Sequence, residues 1–350
     1  MVGIALLTLV PGELGGSETY VRELLRALRR GGELTYEVLL PPAAPDAGEG
    51  LPATVSRAYR SARTTPQRLV AMTEGALRPR RLRDELGAAD VVHFPLTIQI
   101  PRVAVPTVVT LHDLQHLDLP EMFPHAEPVF RRAFWHPSVR RATRVIVISD
   151  FVRRRALDRL GLDPAAVRVV PLGLDHSLLR PADVPKEPFL LYPARPWPHK
   201  NHRRLFEAFE LLRRQRPELR LVLTGGGDFD SAPDGVEERG RLPIAEVAAL
   251  MQRASTLVFP SLYEGFGLPP LEAMACGCPV ACSDAAALPE TVGDAARLFD
   301  PHDPEAIAAA VLEVLDEPAP WIERGLARAG RFSWDETAHA TDQVYRELLG

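Results

Sequence analysis

The chain has 350 residues, too many for one ordinary hydrophobic core and suited to two domains. Apolar residues make up 46% and charged residues 25%, the profile of a soluble globular protein. The formal charge of -5 argues against nucleic acid as a partner, and three cysteines cannot build a disulfide framework. With so few cysteines a reducing cytoplasm is the expected location, and no apolar run approaches the roughly 20 residues that span a bilayer.

VGIALLTLV (2–10) is apolar but has no basic n-region, so it reads as a first buried strand and not as a signal peptide. The loop PGELGGSE follows, with Gly15 and Gly16. In ETYVRELLRALRR, Val21, Leu24, Leu25 and Leu28 recur at helical spacing. The stretch 57–83 is rich in arginine and reads as exposed helix or loop. It is either a solvated basic face or a contact for an acidic lipid surface. YEVLL, DVVHF, TVVTLH and RVIVIS read as further strands, and His112 falls at the mouth of the fourth of these five.

A proline-rich stretch, VVPLGLDHSLLRPADVPKEP, marks the change to a second half built in the same style. There FLLYPA, LRLVLTGGG, TLVFPS and PVACSD are expected strands. HKNHRRLFEAFELLRRQ, IAEVAALMQRA, PPLEAMACG and PEAIAAAVLEVLDE are expected helices, and SWDETAHATDQVYRELL is a closing helix. Short apolar strands between helices indicate parallel sheets covered on both faces. The expected fold is therefore α/β, with two Rossmann-like doubly wound domains facing each other across a cleft. The expected spans are 1–175 for the first domain, 176–330 for the second, and a closing helix at 331–350. Ligands of such sheets sit beyond the carboxyl ends of the strands.

The most informative segment is TLVFPSLYEGFGLPPLEAMACGCPV. A strand ends near Pro260, and a loop with Glu264, Gly265, Phe266 and Gly267 follows. Pro269 or Pro270 suits the first helical position. Loop amides and first-turn N–H groups then make an anion site, and glycine lets a ligand approach the backbone. Glu272 is expected in the first turn and Glu264 just before it, so both carboxylates can face one ligand and accept sugar hydroxyls. The competing reading makes Glu264 a cap and Glu272 a partner of the helix dipole. In LLYPARPWPHKN, Arg195 emerges at a strand end, and Lys200 is one of only two lysines in the chain. Two cations there can neutralise a departing diphosphate, or they can be solvated surface charges.

These strings resemble the retaining glycosyltransferases of family 4, which have the GT-B fold. The resemblance runs from the Gly-Gly loop to the closing helix, and the C-terminal half matches best. It implies that Glu264 lies by the donor sugar and that Glu272 binds ribose hydroxyls. It also implies that the amides of Gly265, Phe266, Gly267 and Leu268 contact sugar and diphosphate, and that Arg195 and Lys200 bind the diphosphate. His112 would lie by the donor sugar, with Asp113 and His116 toward the acceptor. Gly15 and Gly16 would approach the phosphates, and Arg241 and Leu242 would contact the base.

The activity so implied is a retaining transfer, with no metal or cofactor, of a hexose or deoxyhexose such as mannose or rhamnose. The donor would be a GDP-, UDP- or dTDP-sugar and the acceptor a saccharide, lipid-linked or small-molecule hydroxyl. The location would be cytoplasmic, with a possible peripheral contact at the inner face of an anionic membrane. A non-catalytic nucleotide-sugar-binding subunit and a sugar-nucleotide epimerase are the competing functions. Asp228-Phe229-Asp230 spells a metal motif of another transferase fold and is read as coincidence. Cys276, Cys278 and Cys282 are read as packing residues. Gly225-Gly226-Gly227 lacks the Gly-x-Gly-x-x-Gly spacing, and there is no Walker A string.

Overall fold

A computed structural model describes residues 1–62, 65–77, 79–227, 229 and 232–350, with the backbone alone at 65, 66 and 68. The chain divides into two units, one of Met1–Gly173 with Trp334–Gly350 and one of Leu174–Ser333.

The first unit holds seven strands: β1 (Val2–Ala5), β2 (Tyr36–Leu40), β3 (Ala53–Val55), β4 (Val91–Phe94), β5 (Thr107–Leu111), β6 (Arg144–Val147) and β7 (Val167–Val169). Their order is β3-β2-β1-β4-β5-β6-β7, and every pairing is parallel. The second holds β8 (Glu187–Pro193), β9 (Arg220–Thr224), β10 (Val236–Glu238), β11 (Ala254–Phe259), β12 (Val280–Ser283) and β13 (Arg297–Phe299). Their order is β10-β9-β8-β11-β12-β13, again all parallel. Both units are doubly wound sheets of the expected Rossmann-like kind. Each sheet reverses its direction of growth once, between β1 and β4 and between β8 and β11. Such a switch point leaves a crevice at the strand ends.

Central strands such as β5 and β12 are buried along their whole length, as a sheet covered by helices requires. The helix Gly16–Gly31 turns Tyr20, Val21, Leu24, Leu25, Ala27 and Leu28 inward. One expectation fails at the start of the chain. The strand read over 2–10 ends at Ala5, where its pairing with β2 stops at Ala5 and Leu39. Leu6 to Val10 stay buried but turn, with the Leu9 amide donating to the Leu6 carbonyl at 2.8 Å.

The closing helix Trp334–Leu349 belongs to the first unit and packs along Gly16–Gly31. Buried Asp342 accepts from the Tyr36 hydroxyl at 2.6 Å and from the Glu33 amide at 3.0 Å. Glu347 pairs with Arg144 at 2.9 Å and Arg168 at 2.8 Å. The helix Ala126–Arg141 was not legible from periodicity. It carries Pro137 inside and buries only Pro128, Ser138 and Val139. The arginine-rich stretch forms two helices, Thr65–Leu77 and Pro79–Glu85. No described helix is long and apolar enough to cross a membrane.

Candidate functional site

The switch point of the second sheet gathers the charged residues singled out above. β8 ends at Pro193, and Arg195 follows two residues on. A 3-10 turn, Pro198–Lys200, then leads through Asn201 into the helix His202–Gln215. Asn201 sits at φ 62°, a left-handed conformation that asparagine tolerates. Its amide nitrogen donates to the Pro260 carbonyl at 3.1 Å and to the Pro301 carbonyl at 2.7 Å. The Tyr192 hydroxyl donates to the Lys200 carbonyl at 2.5 Å, and the Leu262 amide donates to the His199 carbonyl at 2.7 Å. The turn after β8 is thereby fastened to the loop after β11.

That fastening fixes an ion pair. Lys200 Nζ donates to Glu264 Oε1 at 2.6 Å, and Ser261 Oγ donates to the same oxygen at 2.6 Å. The two charged side chains are only 13% and 14% exposed, so their attraction is stronger than that of a surface pair. Glu264 Oε2 accepts nothing from the described residues, which leaves it open to a hydroxyl donor. Ser261 was missed by the sequence reading. Its hydroxyl gave no signal beyond its place two residues after a strand.

Gly225, Gly226 and Gly227 all have positive φ. A Cβ on Gly225 would lie 2.8 Å from the Ala194 carbonyl carbon, and one on Gly227 would lie 2.5 Å from Pro196 Cγ. The glycine run therefore lets one loop press against the backbone that carries Arg195. The Gly225 amide donates to the Gly240 carbonyl at 2.8 Å, and a Cβ on Gly226 would lie 2.8 Å from Arg241 Cγ. So Arg241 stands beside the same glycine loop, with Leu242 next to it in the chain. Asp228 and Asp230 lie outside the described residues. Arg195 holds its guanidinium 5.3 Å from the Trp197 ring centre.

The helix after β11 departs from expectation in two respects. It spans Leu268–Ala275, so Pro269 and Pro270 occupy its second and third positions. Neither has an N–H, so the first turn offers fewer amide donors than expected, with Leu268 supplying the one ahead of the two prolines. Glu272 is the fifth helical residue, one or two positions deeper than expected and past the first turn. The reason lies at Gly267, whose φ of 109° starts the helix there. A Cβ at Gly267 would lie 2.6 Å from Leu288 Cδ2. The Thr291 hydroxyl donates to the Phe266 carbonyl at 2.6 Å, and Arg328 in turn donates to the Thr291 carbonyl at 2.8 Å. Glu272 retains some solvent contact, yet the protein packed around it pushes its carboxyl up to about 7. Its side chain makes no hydrogen bond or ion pair among the described residues. Cys276 and Cys278 are buried thiols, each pushed up to about 12 chiefly by burial, and Cys282 is raised for the same reason. Nothing in that chemistry suits a thiolate ligand.

In the first unit Gly15, at φ 53° and ψ -126°, stands just before the helix Gly16–Gly31. Gly16 is thus the first helical residue and not part of the loop. A Cβ on Gly16 would meet nothing within 4 Å. His112 directly follows β5, as expected. Its Nε2 donates to the Pro95 carbonyl at 2.8 Å, and burial lowers its pKa. The Tyr20 ring meets His112 edge-on at 5.0 Å. A buried chain of polar groups runs behind it. The Tyr345 hydroxyl is 2.7 Å from His93 Nδ1, His93 Nε2 is 2.8 Å from the Thr110 hydroxyl, and that hydroxyl is 3.1 Å from the Tyr20 hydroxyl. Burial pushes His93 down to about 3, so it is neutral in this chain. Asp113 accepts from Arg131 at 3.1 Å, and His116 Nε2 meets His136 Nε2 at 3.0 Å.

Comparison with known proteins matches this arrangement along almost the whole chain. Residues 14–178 match the model of Glycosyltransferase Family 4, and residues 180–328 match that of Glycosyl transferases group 1. The chain is 34% identical to O-antigen chain mannosyltransferase B of Escherichia coli, over 78% of each protein. It is 32% identical to MMP alpha-(1->4)-mannosyltransferase of Mycolicibacterium hassiacum, over 77% of this chain and 73% of that one. Sucrose-phosphate synthase from Thermosynechococcus elongatus superposes with a TM-score of 0.78 at 22% identity, covering 99% of this chain and 98% of that one. Anabaena HepE, solved in complex with UDP and glucose, superposes with a TM-score of 0.73 at 17% identity over 99% of each chain. The chain is a glycosyltransferase of GT-B fold and belongs to glycosyltransferase family 4.

Proposed function

We propose that the chain transfers a hexose, with mannose the first candidate, from a nucleotide diphosphate sugar to a hydroxyl acceptor, with retention at the anomeric carbon and without a metal ion. The observation that carries this reading is the Lys200–Glu264 pair at the switch point of the second sheet, with Glu272 unpaired nearby on the helix that follows. Mannose is favoured because two relatives above 30% identity are named mannosyltransferases. The base is open among GDP, UDP and dTDP. The acceptor is a saccharide or a lipid-linked saccharide.

Each residue then has a task. Arg195 and Lys200 meet the negative charge of the diphosphate, which grows as the glycosidic bond breaks. The amides of Gly265, Phe266, Gly267 and Leu268 donate to phosphate and sugar oxygens. Glu264 Oε2 accepts from a sugar hydroxyl, and Glu272 accepts from the ribose. Arg241 and Leu242 line the base. In the first unit, Gly15 and Gly16 leave room for phosphate, and His112 acts on the donor sugar through Nδ1, since Nε2 is engaged by Pro95.

In the reaction the bond from the anomeric carbon to the phosphate oxygen breaks, and the nucleoside diphosphate takes the electron pair. The acceptor oxygen bonds to that carbon on the same face. Its proton passes to the departing phosphate. A membrane-borne acceptor would bring the enzyme to an anionic lipid surface.

A thermal-shift series with GDP-, UDP- and dTDP-sugars tests the reading. One nucleotide is expected to raise Tm in the wild type and to lose that effect in Lys200→Ala. A shift of equal size in both proteins would refute the assignment.

A further inference from the structure

The helices Thr65–Leu77 and Pro79–Glu85 carry a surface that the transfer reaction does not use. On the first, Ala71, Met72 and Gly75 are buried and form the inner face. Leu69, Val70, Thr73, Ala76 and Leu77 are exposed and share the opposite face by their spacing. Leu69 is 45% exposed, Val70 47% and Leu77 77%. Thr73, the one polar side chain among the described residues of that face, spends its hydroxyl on the Leu69 carbonyl at 2.8 Å. A surface helix of a globular protein shows the reverse pattern, with charge outside.

The charge around this stripe also runs against the rest of the chain. Among the described side chains between 57 and 83 there are five arginines and one glutamate, with Asp84 and Glu85 just beyond, in a protein of net charge -5. That glutamate, Glu74, is already paired with Arg60 at 2.8 Å. Past the end of the stripe, Leu77, Pro79, Arg80, Arg81 and Arg83 line an open hollow of about 400 Å³. An outward apolar stripe therefore runs into a basic hollow.

We infer that this face docks on an anionic lipid bilayer. Leu69, Val70 and Leu77 enter the boundary between headgroups and acyl chains, and the hollow beside Arg80, Arg81 and Arg83 takes a lipid phosphate. A bilayer satisfies both halves together. It offers apolar depth for the stripe and a dense layer of negative phosphates for the arginines. The inference does not rest on the transfer reaction, so either can fail alone.

The test is flotation of the purified full chain with vesicles of phosphatidylcholine alone and of phosphatidylcholine with phosphatidylglycerol. The wild type is expected to float with the anionic vesicles only and to be released by high salt. Two variants separate the contributions: Leu69→Ser with Leu77→Ser, and Arg80→Gln with Arg81→Gln and Arg83→Gln. The triple arginine variant is expected to lose about a hundredfold in partitioning, at about 1 kcal/mol for each arginine. A control with Arg203→Gln, Arg297→Gln and Arg324→Gln, all in the second unit, is expected to bind like the wild type. Each variant is checked for an unchanged thermal melt. No flotation of the wild type, equal flotation of all variants, or equal loss in the control would overturn the inference. So would a wild-type dimer that the Leu69 and Leu77 changes convert to monomer while lipid binding stays intact, which would assign the face to a second copy.

Discussion

Glu272→Gln is the substitution that best separates stability from function in this site. The side chain lies in a desolvated position with no partner among the described residues, and its carboxyl is raised from 4.5 to about 7. Because the folded-state pKa is raised, the penalty is absent below pH 4.5, where folded and unfolded chains are both protonated. It grows as pH rises and is complete above about pH 7. A rise of that size corresponds to about 3 kcal/mol, and the remaining solvent contact reduces it to about 2 kcal/mol. Glutamine has the same shape and no charge. The variant is therefore expected to be about 2 kcal/mol more stable than the wild type at pH 8 and little different near pH 4.5. Urea melts at the two pH values measure this. Under the proposed function the same variant binds the nucleotide sugar at least about tenfold more weakly, because a carboxylate acceptor of ribose hydroxyls has gone. Equal melts at both pH values would refute the electrostatic reasoning. A stabilised variant with full donor affinity would refute the proposed role.

Further outcomes follow from other contacts. Lys200→Met and Glu264→Gln are each expected to destabilise by about 3 kcal/mol, because either leaves a part-buried charge alone. The double variant should cost clearly less than the sum, and strict additivity in a double-mutant cycle would contradict the pairing. Gly267→Ala forces a Cβ into φ 109° and against Leu288, at a cost of about 2 kcal/mol, and an unchanged melt would count against this start for the helix. His93 has its folded pKa lowered to about 3, so stability falls by about 1.4 kcal/mol per pH unit as the unfolded chain takes up its proton below 6.5. His93→Gln should flatten that slope, and an identical pH profile would refute it. Finally, turnover is expected to persist in EDTA, and a strict need for added Mg²⁺ would contradict the role given to Arg195 and Lys200.

Much of this was legible in the order of residues. Short apolar runs between amphipathic helices specify parallel sheets, and β5 and β12 are buried end to end as that pattern demands. Arg195, Lys200 and Glu264 were visible because each stands at or just after a strand end. Other features depend on tertiary contacts that no local pattern encodes. The start of the helix at Leu268 is set by Gly267 against Leu288, which moved Glu272 out of the first turn. The glycines at 225–227 lack a dinucleotide spacing and carry no local signal. Their need for glycine comes from the backbone at Ala194 and from Pro196, about thirty residues away in sequence. Ser261, Tyr192 and Asn201 look like any polar residues in a loop or strand until the folded chain brings their partners within reach.

The most direct test of the central claim is the release of nucleoside diphosphate from a panel of nucleotide sugars in the presence of a saccharide acceptor, with the product read by proton NMR. One donor is expected to be turned over with its anomeric configuration kept in the product, and Lys200→Ala is expected to lose rate by about a hundredfold or more. Turnover by Lys200→Ala at the wild-type rate, or a product of inverted configuration, would contradict the claim.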